Sequence, residues 1–242
     1  MKKSALLIAG ITFLAILALA AYVLRTPEAA SAPVEAVPLE LEATAAPTSP
    51  AAEPTAEEAG FNPAGVVVFT LSQAESEARF SIDEILSGVP TTAVGVTSQV
   101  AGEIAIDFDN PANSQLGVIT INARTLATDK SNRNRMIQNE ILDTAEFEFI
   151  TFTPTAITGL PAAITPGQTI TFQVTGGLTI RAITVTQTFE ITATVDASGR
   201  LSGHGIATVL RADYDLIIPS VPQVASVSEE VILEIDFVAI LK

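Results

Sequence analysis

Residues 169–195 read TITFQVTGGLTIRAITVTQTFEITATV, and the alternation of apolar and polar side chains in this stretch decides the fold class. Apolar side chains recur at every second position from Ile170 to Ile180, with threonine and glutamine between most of them. A period of two is typical of a β-strand with one buried face. After Arg181 and Ala182 the apolar positions take the opposite parity, starting at Ile183, and this change predicts a tight hairpin turn.

The same period recurs through the chain after residue 60. Residues 93–108 are expected to form one long strand, with Val94, Val96 and Val100 on its apolar face and Glu103 and Asp107 on its polar face. Long amphipathic strands favour an all-β fold, a closed antiparallel barrel of about eight strands, because closure removes exposed edges. A β-sandwich is the alternative. The predicted strands lie near residues 66–73, 76–86, 93–108, 116–126, 146–157, 169–181, 184–195, 201–212 and 229–241. The alternative for the first two is one bent strand.

One short helix interrupts the strand pattern over residues 131–142, where apolar side chains recur at a spacing of three and four. Arg133 and Arg135 lie in its first turn, where the helix dipole disfavours positive charge. We therefore expect another part of the chain to hold these two arginines.

The composition excludes several classes of protein. The 242 residues carry a net charge of −15, and a nucleic-acid-binding protein normally needs a basic face. The chain has no cysteine and one histidine, so disulfides, thiolate chemistry and Cys-ligated or multi-His metal sites are excluded. Aromatic residues make up only 5% of the chain, so the core is expected to be aliphatic.

The first 25 residues are predicted to be an uncleaved signal-anchor, a single transmembrane helix. Lys2 and Lys3 precede an uncharged stretch over residues 4–24, which as a helix is about 32 Å long, enough to cross the hydrocarbon core of a bilayer. Cleavage at the small-x-small site Ala18-Leu19-Ala20 is the alternative. The lysines place the N-terminus in the cytoplasm and the rest outside the membrane.

Residues 26–62 are rich in proline, alanine and glutamate and are predicted to be a disordered linker. The β domain is predicted to follow over residues 63–242. The expected location is therefore the cell membrane, single-pass, with the C-terminal domain outside the cytoplasm, or export if the signal is cleaved.

Three stretches of the β domain resemble the YceI-like family. They are Thr128 and Asp129 with Arg133, followed by residues 147–152 (FEFITF); residues 177–184 (GLTIRAIT); and residues 209–216 (VLRADYDL). The resemblance covers about residues 66–241 in the same order and spacing. It implies a bacterial, usually exported lipocalin-like barrel that binds polyisoprenoids and related amphiphiles, such as isoprenoid quinones.

The interior of such a barrel is either a dry apolar cavity for a ligand or a filled core, and the composition does not separate the two. Arg133, with Asp129, and Arg211 are candidate polar groups at the rim. Each arginine either holds a ligand head group or forms a structural ion pair, for Arg133 with Asp129 or Asp213. The candidate ligand-binding residues inside the barrel are Val96, Val100, Ile104, Ile106, Phe149, Phe172, Val174, Leu178, Ile180, Phe189 and Ile191.

The leading hypothesis is a membrane-tethered extracytoplasmic domain that binds, sequesters or transports a polyisoprenoid-like lipid. The alternative is an interaction module, a filled barrel whose acidic face docks a protein partner. No nucleophile–base pair or metal cluster can be assembled, so no enzymatic activity, catalytic residue, metal or cofactor is expected beyond a bound lipid. The single histidine, His204, is predicted to be exposed or at an edge. The expected partners are the lipid and the membrane, without nucleic acid, and a homodimer is possible.

Overall fold

The computed structural model describes residues 25–40, 61–220 and 224–242, and these residues form an antiparallel β domain. The predicted transmembrane helix lies outside the described residues except for Arg25. No helix in the described part of the chain has the length and apolar composition needed to span a bilayer. The strands are β1 Val66–Leu71, β2 Glu77–Leu86, β3 Val89–Thr97, β4 Val100–Ala101, β5 Glu103–Asp107, β6 Gln115–Leu116, β7 Ile119–Asn122, β8 Phe149–Thr158, β9 Thr169–Ile180, β10 Ile183–Val195, β11 Leu201–Leu210, β12 Val224–Val227 and β13 Glu230–Leu241.

All strand pairs are antiparallel, and together they form one curled sheet with the order β4-β7-β8-β9-β10-β11-β13-β1-β5-β6. Gly102 alone separates β4 from β5, so the two sides of the curl meet in one continuous segment. β13 pairs with both β1 and β2, as expected if these two are halves of one bent strand. The described strands form one all-β antiparallel curled sheet, and the architecture is lipocalin-like.

The connections between strands lie at two opposite ends of the curl. We call one the helix-bearing end; it carries the β7–β8 connection (residues 123–148), the β9–β10 turn and the short 3₁₀ helix Arg211–Tyr214 after β11. The opposite end, which we call the far end, carries the β8–β9 connection (residues 159–168) and the β10–β11 turn (residues 196–200).

The predicted hairpin is confirmed, with Ile180 opposite Ile183 and a turn of two residues between β9 and β10. The first of them, Arg181, has a positive φ of 56°. Within β9, a Cβ atom added to Gly176 would lie 2.4 Å from the carbonyl oxygen of Thr153 on β8. Only glycine permits the two strands to approach so closely at this point.

The prediction of one long strand over residues 93–108 is wrong. The segment is divided into β3, β4 and β5, and in β3 the residues that point inward are Ala93, Gly95 and Thr97, whereas Val94 is 41% exposed. In β5 the predicted polar face is covered as well, since Glu103 is 3% exposed. The alternation of apolar and polar residues did not predict the inward face correctly, because both faces of this segment are buried over part of its length.

The predicted helix is present as α1 Ser131–Met136, which continues as a π-helical turn over Ile137–Ile141. Ile137 and Leu142 are buried in the same apolar core as the inward faces of the strands. The helix therefore covers the helix-bearing end of the curled sheet.

Residues 25–40, most of which belong to the predicted linker, form neither helix nor strand and lie against the β domain, and we call them the strap. Val34, in the middle of the strap, is 6% exposed. A Cβ atom added to Gly117 would lie 3.3 Å from the side chain of Leu39, so the strap reaches the β6–β7 connection. The strap is thus in contact with the domain along its length, and the remaining linker residues 41–60 lie outside the described residues.

Candidate ligand cavity

The curled sheet encloses an apolar cavity of about 200 Å³. Its lining is formed by residues of β1, β2, β5 to β11 and β13, together with residues of the β7–β8 and β8–β9 connections. An apolar void of about 150 Å³ stays dry and binds small apolar molecules, so a cavity of this size and composition is suited to an apolar group. Its apolar lining includes Leu71, Phe80, Ile104, Ile106, Leu116, Ile119, Ile121, Leu126, Ile150, Phe152, Ile157, Leu160, Ile164, Ile170, Phe172, Val174, Leu178, Ile180, Phe189, Ile191, Ala193, Val195, Leu201, Leu233, Ile235 and Phe237.

Most of the predicted interior residues lie on this cavity, and three do not. Val100 is fully buried but packs elsewhere, Val96 is half-buried opposite Ala127, and Phe149 is 41% exposed on the outer face of β8. Whether the others contact a ligand stays a prediction. Those that line the cavity are Ile104, Ile106, Phe172, Val174, Leu178, Ile180, Phe189 and Ile191.

Sequence reasoning missed the contribution of β8, where Ile150 and Phe152 point inward instead of Phe149. The ring centroids of Phe152 and Phe189 are 5.0 Å apart in an edge-to-face arrangement, which joins β8 to β10 across the cavity. The alternation of Ile150 and Phe152 with threonines was the available signal. This alternation was overlooked because Phe147 and Phe149, immediately before Ile150, alternate with glutamates and indicate the opposite inward face.

The mouth of the cavity lies at the far end. Gln115 and Gln168 line the cavity and are also exposed. The other polar residues that contact the lining are Arg79, Ser114, Thr194 and Glu234, and the hydroxyl of Thr194 is hydrogen-bonded to Thr169 on the outer face. At the helix-bearing end the lining residues Leu126 and Ile180 are buried. An amphiphile with its tail inside the cavity would therefore place its polar group beside the amides of Gln115 and Gln168, which hydrogen-bond without carrying charge.

Arg133, predicted at the rim, is not on the cavity lining. It forms ion pairs with Glu84 of β2 and with Asp129, at 2.6 Å from the Asp129 carboxylate. The Glu84 side chain is 7% exposed, whereas that of Asp129 is 65% exposed. The structure thus places Arg133 in a structural ion pair that ties α1 to β2, with a partner that the sequence analysis did not name.

Arg211 is likewise occupied by protein groups. Its guanidinium donates hydrogen bonds to the backbone carbonyls of Ser228 and Leu216, at 2.8 and 3.0 Å, and to the carboxylate of Glu229 at 2.6 Å. These bonds fasten the turn after β11 to the start of β13. They involve Glu229 and not Asp213, its near neighbour in sequence.

His204 lies on the outer face of the sheet, with its side chain 40% exposed, and its Nδ1 is 2.8 Å from the Asp236 carboxylate. Burial raises the pKa of Asp236, but hydrogen bonding to His204 and the charge of Arg79 outweigh burial and hold that pKa below its usual value. Within residues 25–40, 61–220 and 224–242, no group of three or more His, Asp or Glu side chains is placed to hold a metal ion. Arg79 and His204 thus both contact the carboxylate of Asp236 on the outer face of the sheet.

A curled antiparallel sheet around an apolar cavity defines the lipocalin-like class of small-ligand-binding proteins. The model of the YceI-like domain family matches residues 69–239 of the sequence. The chain belongs to this family, as its resemblance to the family predicted.

Two solved structures show the same fold. Burkholderia cenocepacia BcnA is 20% identical, with a TM-score of 0.57, and the match covers 69% of this chain and 98% of that one. A polyisoprenoid binding domain from Saccharophagus degradans, implicated in plant cell wall breakdown, is 14% identical with a TM-score of 0.57, and the match covers 73% and 99% of the two chains. No curated protein matches the sequence.

Proposed function

We propose that the protein binds a polyisoprenoid or a similar amphiphilic lipid, such as an isoprenoid quinone, in the cavity of the curled sheet. The observation that carries the proposal is the predominantly apolar lining of the cavity, with the exposed amides of Gln115 and Gln168 at its mouth. Membership of the YceI-like family and the likeness to a polyisoprenoid binding domain support the ligand class.

The binding free energy would come from burial of the lipid tail. Apolar surface removed from water contributes about 25 cal/mol per Å², so a tail segment that loses 200–300 Å² of exposed surface gains roughly 5–7 kcal/mol before association costs. A cavity of about 200 Å³ holds only part of a long chain. A longer tail therefore requires the aliphatic lining to move, or extends through the mouth.

In this proposal the protein binds the lipid and catalyses no reaction. The YceI-like family is a family of binding domains, and the described residues that line the cavity include no paired carboxylates and no nucleophile–base pair. Burial and release of the ligand then constitute the whole activity, which is sequestration or transport.

We further propose that the domain is tethered outside the cytoplasm by a membrane anchor formed by residues 1–25. The support is the uncharged stretch over residues 4–24 and the lysines that precede it. A tether would keep the lipid-binding domain close to the bilayer in which isoprenoid lipids dissolve.

The test is native mass spectrometry of residues 25–242, which include every contact described above, purified from a bacterial host without detergent. A stoichiometric polyprenyl lipid or quinone that is released by organic extraction would support the proposal. An apo mass that stays unchanged after incubation with several polyprenyl lipids would contradict it, and the interaction module would become the better account.

A matched pair of variants sharpens this test. Phe172 points into the cavity, whereas its neighbour Thr171 is exposed on the outer face of the same strand. We expect Phe172→Asp to lose the bound lipid and Thr171→Asp to retain it, because only the first charge enters the apolar lining. Equal lipid content in the two folded variants would mean that the lipid lies elsewhere.

A further inference from the structure

The strap begins at the helix-bearing end of the domain. Arg25 lies 3.3 Å from the Asp143 carboxylate, just beyond the π-helical turn. The Asn139 side chain donates a hydrogen bond to the backbone carbonyl of Arg25 at 2.8 Å. The first described residue is therefore held by both its side chain and its backbone.

The middle of the strap is bound to two charged side chains of the β7–β8 connection. The backbone N–H and the hydroxyl of Ser31 each donate a hydrogen bond to Glu148, at 2.8 Å to separate carboxylate oxygens. Arg124 donates to the backbone carbonyl of Ala29 at 3.2 Å and forms an ion pair with Glu28 at the same distance. The strap thus follows the surface of the domain closely.

The last part of the strap lies over the segment that joins the two sides of the curl. Val34 hydrogen-bonds through its backbone to the side chains of Gln99 and Gln73. The N–H of Leu39 donates to the Glu103 carboxylate at 2.9 Å. Burial raises the pKa of Glu103, but hydrogen bonds from Lys242 and Leu39 outweigh burial and hold it below its usual value.

Arg25 directly follows the uncharged stretch over residues 4–24, so the point at which the chain would leave the bilayer is bound to the domain itself. We propose that the strap holds the helix-bearing end of the domain against the anchoring membrane, with the cavity mouth directed away from it. The proposal rests on the membrane anchor put forward above. The sequence had suggested a spacer of some 35 residues between the membrane and the domain. In this proposal the domain instead lies directly against the bilayer.

The helix-bearing end presents exposed aliphatic side chains and two arginines among its carboxylates, which include Asp129 and Glu229. Val89, at the β2–β3 turn, is 60% exposed and Ile217, after the Arg211–Tyr214 turn, is 77% exposed. Among the described residues, Arg135 and Arg181 have no carboxylate partner. Exposed aliphatic side chains enter the boundary between head groups and acyl chains, and arginines bind lipid phosphates.

The orientation has a consequence for ligand exchange. Gln115 and Gln168 mark the mouth at the far end, opposite the membrane-facing surface. A lipid would therefore enter and leave the cavity on the side away from the anchoring bilayer, and delivery would be directed outward.

The absence of cysteine from the chain allows a direct test with single-cysteine variants of the full-length protein. Ile217→Cys at the helix-bearing end and Ser198→Cys in the β10–β11 turn at the far end would each carry an environment-sensitive fluorophore. The proteins would be reconstituted in vesicles of phosphatidylethanolamine and phosphatidylglycerol that contain spin-labelled lipid. We expect several-fold stronger quenching at position 217 than at position 198.

Breaking the strap provides the control. Val34→Asp places a charge in a buried site of the strap, whereas Val37→Asp changes a neighbouring strap residue that is 52% exposed. We expect Val34→Asp to bring quenching at position 217 down to the level at position 198, and Val37→Asp to leave it unchanged. Circular dichroism would establish that both variants are folded.

Equal quenching at the two positions in the intact protein would overturn the proposal. So would recovery of the protein in the soluble fraction with its first 20 residues missing, since it would then have no membrane anchor. An orientation that survives Val34→Asp would overturn the role of the strap. Bound lipid, measured by extraction from the same samples, reports separately on the proposed function, because orientation and lipid content are independent readouts.

Discussion

Arg133 of α1 and Glu84 of β2 form an ion pair that joins the helix to the sheet, although the two residues are 49 positions apart in the chain. The Glu84 side chain is almost fully buried, and no other ion pair is described for it. The Glu84 carboxylate therefore depends on Arg133 for its charge compensation.

Replacement of Arg133 by alanine is expected to lower the free energy of unfolding by about 2 kcal/mol, because a buried carboxylate loses its partner. Asp129→Ala removes only the exposed partner of the same guanidinium and should cost less than about 1 kcal/mol. Urea unfolding of the two variants measures the difference. If Arg133→Ala instead lost bound lipid at unchanged stability, Arg133 would be a ligand-binding residue.

Enlarging a side chain on the cavity wall is expected to block the ligand. Ala193 lines the cavity, so Ala193→Phe fills the space in which a tail would lie and should reduce lipid uptake more than tenfold. The stability cost should be within about 1–3 kcal/mol, since the ring enters existing space. Thr192→Phe adds the same ring on the outer face and should leave uptake unchanged. Lipid titration followed by native mass spectrometry compares the two, and normal uptake by Ala193→Phe would place the ligand outside the cavity.

The contact between the strap and Glu148 is expected to depend on pH. Burial raises the pKa of Glu148, but hydrogen bonds from Ser31 and Asn122 and the charge of Arg124 outweigh burial and hold it below its usual value of 4.5. A carboxylate whose pKa is lowered by folding stabilises the folded state above its unfolded pKa, and this stabilisation is lost as the pH falls through the folded pKa.

Ser31→Ala should therefore destabilise the protein by about 0.5 kcal/mol at pH 7, and the difference should shrink as the pH falls below 4.5. Urea unfolding at several pH values measures this effect. In a Glu148→Gln background, which lacks the titrating group, the effect of Ser31→Ala should no longer vary with pH. A difference that stays constant over the pH range would contradict the assignment.

Asp215 has a φ of 50°, in the left-handed region, at the end of the 3₁₀ turn Arg211–Tyr214. Asp215→Gly should relieve this strain and raise the free energy of unfolding by up to about 1 kcal/mol, less the entropy that glycine adds to the unfolded chain. Asp213→Gly, inside the turn, lacks the strained φ and should be destabilising by about 0.5–1 kcal/mol. Shifts of the thermal unfolding midpoint in opposite directions for the two variants would confirm this prediction. Shifts of the same size and direction would contradict it.

The sequence was sufficient to predict the strands from β8 to β13, apart from the short β12, because one face of each is buried and the other is largely exposed. Ile180 and Ile183 change parity across the turn, and the structure pairs them as expected. The π-helical turn and the bulge of β8 between Pro154 and Ala156 have no comparable pattern in the sequence.

The segment from β3 to β5 was not predictable in the same way, because its polar side chains are buried by other parts of the chain. Glu103 is covered by the strap, and Asp107 accepts hydrogen bonds from the backbone of Asp109 and Asn110. The strap itself is bound largely through backbone N–H and C=O groups, such as the N–H of Leu39 and the carbonyl of Ala29, which every sequence provides. No periodicity of side chains therefore marks it.

The strand pairing around the curl is uneven. β9 and β10 share twelve residue pairs, whereas β4 and β7 share only two, Val100 with Ile121 and Ala101 with Thr120. Local opening is least costly where the fewest hydrogen bonds must break, so the amides of this short ladder are expected to exchange with deuterium long before those of β9. Since Ile121 lines the cavity, the same opening would widen it sideways and admit a chain longer than the resting volume holds. Transient opening of the two residue pairs between β4 and β7 would then determine both the rate of lipid uptake and the length of the lipid that fits.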